Sequence, residues 1–202
     1  MISRIVNSMS RVPPFLLSQL LCICVLSAQP QYSSSLTRIL DETQAVLVIP
    51  DGFRPVSVRE NPNVRYDFAF TSTEVKLEMR ILLRPLGREI EAFKRGESSG
   101  PDPNSIHEAL LLTICLNLSG GVPCEPTSFD SDDVHSDFNA DAGATTFVRL
   151  NSEFGRGFNN ALINVFHRDD VGDIFVFFLF DDFKDVGSTL FREDVFHAVK
   201  FK

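Results

Sequence analysis

The residues best suited to chemistry lie in one stretch, Asp130 to Asp141 (DSDDVHSDFNAD). Asp130, Asp132, Asp133, His135, Asp137, Asn139 and Asp141 put many hard oxygens and one imidazole into a short segment. Calcium takes about 6–8 oxygen ligands, and Asp137-x-Asn139-x-Asp141 has the alternate spacing of a calcium loop. The rest of that template is missing. The glycine stands one place late, at Gly143, and Val148 occupies the position of the bidentate Glu. Read from Asp130 instead, the loop lacks its central glycine and has Val134 at a ligand position. A solvated acidic loop is the plainer reading, with Asp132, Asp133, His135, Asp137 and Asp141 as the alternative metal ligands.

The other titratable residues are scattered. His107, His135, His167 and His197 fall on four separate predicted elements, and no His-x-x-x-His or His-Glu-x-x-His spacing supports a zinc protease. His167-Arg168-Asp169-Asp170 closes a predicted strand, where catalytic groups often sit, but it also reads as a polar hairpin turn. Gly155-Arg156-Gly157 is too short to cradle a phosphate and suits a tight turn. There is no Gly-x-Ser-x-Gly elbow, and the sequon Asn117-Leu118-Ser119 falls within a predicted helix. No catalytic set emerges and no cofactor is implied. The enzymatic alternative is a metal-dependent or acid–base site that joins Asp132, Asp133, His135 and Asp137 to His167.

The N-terminus reads as an address. Arg4 and Arg11 precede the apolar run Phe15 to Leu26, and Ser27-Ala28 and the polar run Gln29 to Ser35 follow. The run is about a dozen residues, whereas a spanning helix needs about 20. Residues 1–28 are therefore expected to be a cleaved secretory signal, 29–35 a linker and 36–202 one globular domain. Retention of an acylated Cys22 or Cys24 would anchor the protein instead, but Leu21 and Ile23 stand where lipidation signals usually carry a small residue. The formal net charge is −8, and loss of the leader removes Arg4 and Arg11 but no acid. Such a chain repels nucleic acids and anionic lipid, so a nucleic-acid partner is disfavoured. The greasiest later stretch, Ile174 to Phe180, is bounded by Asp173 and Asp181 and has strand length, so no transmembrane segment is expected in the mature chain. Cys115 and Cys124 remain after the signal. In an oxidising compartment they suit a disulfide, and two reduced thiols, one of them buried in a helix, are the alternative.

Around these residues the pattern predicts the following elements. Residues 36–40 and 45–49 form a hairpin about Asp41-Glu42-Thr43, and Pro50-Asp51-Gly52 turns the chain. Tyr66, Phe68 and Phe70 alternate on one strand. On the next, Val75, Leu77, Met79, Ile81 and Leu83 face a core, while Lys76, Glu78 and Arg80 face water. A loop spans 95–104. A helix follows, capped by Ser105 with Glu108 three residues on and ended by Gly120-Gly121. It is apolar nearly all round and so needs cover on most sides. After a loop at 122–142, strands at 144–150, 160–167 and 174–181 make a meander, the last covered on both faces, and a helix spans 188–198.

This order of elements resembles the PsbP-like fold. Val46 to Phe53 (VLVIPDGF) looks like that family's opening of strand, Pro, acidic residue, Gly and aromatic, with Phe53 where the family often has Trp. Phe191 to Phe201 (FREDVFHAVKF) is similar to its closing segment. The resemblance implies an α+β protein, an α/β/α sandwich whose mainly antiparallel central sheet is covered by helices. It also implies a mostly non-enzymatic binding or assembly-accessory role, and it carries over no site residues.

The expected function is thus that of an exported module, periplasmic or secreted, which binds a protein or another envelope component without catalysis. The chain has 19 Phe, 2 Tyr and no Trp. Phe53, Phe93, Phe129, Phe138, Phe154 and Phe158 fall in predicted loops. They either fold back on the core or converge on a groove, and the groove would make the protein a carrier of a small apolar ligand.

Overall fold

Leu36, Ile39 and Leu40 are spaced i, i+3, i+4. In the computed structural model, which describes residues 33–202, they pack against the core from a helix, α1 (Ser34–Glu42). The expected 36–40/45–49 hairpin is therefore replaced by a helix and a strand. The Thr43 hydroxyl donates to the Ile39 carbonyl at 2.7 Å, and Gln44, at φ 48°, swings the chain into β1 (Ala45–Leu47). The partner of β1 is the far C-terminus, residues 199–201. Residues 1–28, read as a signal, lie outside the described residues, and the end of the expected linker forms the start of α1.

The Pro50-Asp51-Gly52 turn forms as expected, with Gly52 at φ 75° and the Phe53 amide donating to the Pro50 carbonyl at 3.1 Å. It leads into β2 (Phe53–Pro55), β3 (Phe68–Ser72) and β4 (Leu77–Pro85). Then come α2 (Gly87–Lys94), an element not among those expected, a 3-10 turn at Pro103–Ser105, and α3 (His107–Ser119). The Ser105 hydroxyl bonds the Asp102 carbonyl inside that turn, so the expected capping box does not form. The other end of α3 is as expected, with Gly120 at φ 75°. The segment read as a 122–142 loop contains β5 (Thr127–Ser128) and α4 (Ser131–Phe138). The meander follows as β6 (Ala142–Arg149), β7 (Asn160–Arg168) and β8 (Gly172–Phe180), with α5 (Ser152–Gly155) between its first two strands. The expected tail helix is two pieces, α6 (Phe183–Leu190) and α7 (Glu193–Phe196), because Arg192 is extended; β9 (Val199–Phe201) ends the chain.

Seven strands form one antiparallel sheet in the order β2-β3-β4-β8-β7-β6-β5, and β1 and β9 pair separately. Period two divides the central strands between two cores. Ile174, Val176, Phe178 and Phe180 join Leu77, Met79, Ile81 and Leu83 on one face, under α1, α4, α6, α7 and the β1–β9 pair. Phe175, Phe177 and Leu179 join Ala161, Ile163 and Val165 on the other, under α3, Phe154 of α5 and the loop residues Val64 and Tyr66. Every residue of β8 is buried, and each large apolar side chain so placed contributes about 1.5–3 kcal/mol.

The architecture is the expected α/β/α sandwich, but β4 has no wet face. The loop residue Tyr66 and Phe154 of α5 cover it, leaving Arg80 only 3% exposed and Glu78 half-buried. Conversely, α3 is less covered than its composition suggests: Leu111, Cys115 and Leu118 are buried, and Leu112 and Leu116 are each 41% exposed. Five of the six loop phenylalanines fold back. Phe53, Phe129 and Phe138 pack into the first core, and Phe154 and Phe158 into the second. Among the described residues, no helix is long and apolar enough to cross a membrane.

Candidate functional site

The β7–β8 hairpin brings the most chemistry together. In the sheet register, Arg84 of β4 lies opposite Asp173 of β8, which lies opposite His167 of β7. Three adjacent strands thus set a cation, a carboxylate and an imidazole in one cross-strand row, facing the second core. His167 Nδ1 lies 2.6 Å from Asp173 Oδ1, and Arg84 Nη1 donates to Asp173 Oδ2 at 2.7 Å. Asp173 is fully buried and His167 is 2% exposed. His167 Nε2 points at Asp169 Oδ1, 3.0 Å away in the turn, and Arg84 also pairs with Glu89 of α2.

Two further elements close the cluster. His107, at the start of α3, stacks on His167 with centroids 4.3 Å apart and ring planes 7° apart. Its Nδ1 lies 3.1 Å from the Asn104 carbonyl, and the Asn104 side chain both accepts from the Asp170 amide and donates to the Asp170 carboxylate. Lys94, at the end of α2, reaches Asp170 at 3.0 Å. The α2–α3 connection is therefore laced to the β7–β8 turn. Burial pushes the His167 imidazole towards neutrality, but the carboxylates of Asp173 and Asp169 outweigh it and hold the pKa above the ordinary 6.5. Only the protonated ring can donate to both carboxylates at once.

Ligand-capable atoms of His107, His167 and Asp173 all lie within 4.8 Å of one another. Their arrangement does not suit a metal. A nitrogen lone pair lies in its ring plane, so two nearly parallel rings stacked 4.3 Å apart cannot both aim at one ion. Both His167 nitrogens and both Asp173 oxygens already have partners. His167 Nε2 is paired with the exposed Asp169 carboxylate, so that contact must open before this nitrogen can exchange a proton with a bound molecule. The row works as a clasp that ties three strands to two helices.

The acidic residues singled out from the sequence lie elsewhere. Asp130 caps α4, accepting from the Asp132 amide at 2.9 Å, and Asp132 and Asp133 occupy the first turn, where the helix dipole favours acids. Val134 and Phe138, four apart, fix the helix to the core. Asp132, Asp133, His135 and Asp137 are exposed on that helix, and Asn139 is its left-handed C-cap at φ 51°. The loop expected from the Asp-x-Asn-x-Asp spacing is thus divided between a helical turn and its exit. Asp137 faces His197, a neighbour the sequence did not suggest, at 3.6 Å. Asp141 alone approaches the histidine row, accepting from the Asp169 amide at 2.9 Å. The structure does not bring Asp132, Asp133, His135 and Asp137 to His167. Cys115 and Cys124 do meet, with their Cα atoms 6.3 Å apart and their sulfurs at bonding distance.

With its seven-stranded antiparallel sheet between two helical layers, the chain is an α+β sandwich. Its structure is similar to the solution structure of cyanobacterial PsbP (CyanoP) from Synechocystis sp. PCC 6803, at 16% sequence identity over 80% of this chain and 88% of that one, with a TM-score of 0.43. The PsbP-like resemblance in the order of elements stands at that level, a likeness of fold. No family model and no curated protein matches the chain.

Proposed function

We propose that this chain is an exported binding or assembly-accessory module that acts without catalysis. One observation carries the reading: in the cluster with catalytic residue types, Arg84–Asp173–His167, the carboxylate and the imidazole are buried and every charged group is paired within the protein. Export is supported by the signal-like N-terminus and by the Cys115–Cys124 pair.

The partner we infer is a protein with an apolar anchor and a basic surround. Phe183, 45% exposed, and Phe191, 57% exposed, touch edge to face with centroids 5.9 Å apart, and Phe183 continues into the buried Phe180. Isolated exposed Phe is unremarkable, but adjoining rings over a core are a common anchor site. Asp182 and Asp185 flank Phe183 in the chain, with Lys184 between them and Arg192, paired with Asp194, next to Phe191. The basic surround is inferred from the chain's net charge of −8.

The test pairs capture from envelope extract with a broad hydrolase screen. Retention by the wild-type protein, weakened by salt and lost in the Phe183→Ser/Phe191→Ser double variant, is the expected result. Capture that is indifferent to the double substitution sinks the anchor. Turnover abolished by one point substitution sinks the non-catalytic reading.

A further inference from the structure

On the opposite side of the sheet from Phe183, four arginines line one cavity of about 340 Å³. Arg54 comes from β2, Arg59 from the segment after it, Arg80 from β4, and Arg156 from the turn after α5. Glu78 is the one carboxylate in the wall, beside Val56, Ser57, Tyr66 and Thr71. We propose that this cavity binds a small oxyanion of two or more negative charges, of the phosphate-ester or diphosphate class. The site is separate from the anchor proposed above.

Arg80 is the built part of the site. At 3% exposure it is held between the rings of Tyr66 and Phe154, whose centroids lie 5.0 Å and 4.6 Å from its guanidinium carbon. Its Nη1 donates to the Phe154 carbonyl and its Nε to Glu78, both at 2.6 Å. A guanidinium fixed in this way loses little freedom when it takes a ligand. Arg156 is pinned by backbone, donating to the Glu60 carbonyl at 2.8 Å and the Glu153 carbonyl at 3.3 Å, and neither partner neutralises it. Arg54 and Arg59 have no ion pair or side-chain hydrogen bond among the described residues. The Arg59 amide is held in place by the Tyr66 hydroxyl at 3.1 Å.

The charges decide the ligand class. Four guanidinium groups against Glu78 leave three cations uncompensated in one cavity, within a chain of net charge −8. Like charges in a concave wall repel one another, and a multivalent anion relieves that repulsion where a single carboxylate leaves most of it. Guanidinium forks match phosphoryl oxygens bidentately, and Ser57 adds a hydroxyl donor. The volume is near the lower end of ligand sites, about 300–1,000 Å³, which suits a diphosphate or a small phosphate ester.

The purified protein should bind pyrophosphate saturably in calorimetry at fixed ionic strength. Arg59→Gln and Arg54→Gln should each weaken that binding at least about tenfold, a loss of about 1.4 kcal/mol. Both side chains are exposed, so the fold survives, and Arg88→Gln on α2 serves as the control that leaves affinity unchanged. In the wild type, the Arg80 side-chain Nε resonance should move during the titration, which needs no variant. Three results overturn the proposal: no saturable binding, equal losses at Arg59 and Arg88, or citrate binding more tightly than pyrophosphate at matched ionic strength.

Discussion

The imidazole of His167 lies 2.6 Å from the carboxylate of Asp173, and these two residues face each other directly across neighbouring strands. Each is the other's answer to burial. An isolated carboxylate in a sealed site carries a large desolvation cost, and an isolated imidazole there gives up its proton. Arg84 on the other flank of Asp173 completes the pairing, so the row contributes to stability as a unit.

Replacing Asp173 by Asn keeps the volume but removes the charge between Arg84 and His167. Loss of one partner from a buried pair costs about 3–5 kcal/mol. Arg84 keeps Glu89 and His167 keeps Asp169, so the expected loss in urea unfolding is near the lower end of that range. Proton titration of His167 by NMR should show its pKa below the wild-type value, because burial remains while the strongest attraction is gone.

The same pair sets a pH dependence. A histidine whose pKa is raised on folding binds its proton more tightly in the folded state. Its contribution is complete below the unfolded value, near the ordinary 6.5, and is lost as pH rises through the higher folded value. Urea midpoints should therefore fall as pH climbs above 6.5, and His167→Gln should flatten that fall. Asp67, whose carboxyl is raised chiefly by burial against the pull of the Leu83 amide and Arg65, acts in a separate acid window. Its contribution is complete below the ordinary 3.8 and lost as pH rises through its raised value. A fall that persists above 6.5 in His167→Gln would assign the slope to another group.

The parts of this fold legible in the sequence are those where local pattern and tertiary need agree. The run at 174–180 reads as a strand covered twice because its phenylalanines leave no face for water, and β8 is buried throughout. Period two also placed Leu77, Met79, Ile81 and Leu83 together on a core face, but it sent Arg80 to solvent. Only the rings of Tyr66 and Phe154, 14 positions before and 74 after it, make that face buried. The α1 helix was hidden because Leu36, Ile39 and Leu40 also fit a short strand. The helix α4 was hidden because its N-cap and first-turn acids looked like metal ligands. Its Val134/Phe138 spacing was the available signal. The histidine stack and the arginine cavity join residues from distant segments, and no local spacing announces either.

Gly172 opens β8 opposite Pro85, beside the Arg84–Asp173 pair. A Cβ there would lie 2.7 Å from the Arg84 carbonyl oxygen, a backbone atom that cannot swing away. Gly172→Ala must then push β4 and β8 apart, at a cost of about 1–3 kcal/mol. Gly87→Ala, where nothing lies within 4 Å of the added carbon, should cost nothing measurable. Thermal or urea unfolding of the two variants checks this, and equal stability would mean that the strands tolerate the extra methyl.

Cys115 is fully buried on the inner face of α3, and Cys124 returns to it across the Gly120-Gly121 turn, nine positions on and 6.3 Å away at Cα. Gly120 at φ 75° and Gly121 at φ 97° allow that return, since side chains rarely adopt either conformation. Closing so short a loop restricts the unfolded chain by about 2–3 kcal/mol in the loop-entropy model. Reductant should lower the unfolding free energy of the wild type by about that amount. It should have no effect on Cys124→Ser, which removes the half-buried partner and leaves the buried thiol in the α3 packing. Non-reducing peptide mapping of the exported protein should recover the two cysteines in one linked fragment. Two free thiols at these positions would remove the bond, and with it one of the two supports for export, leaving the first twenty-eight residues to carry that reading alone.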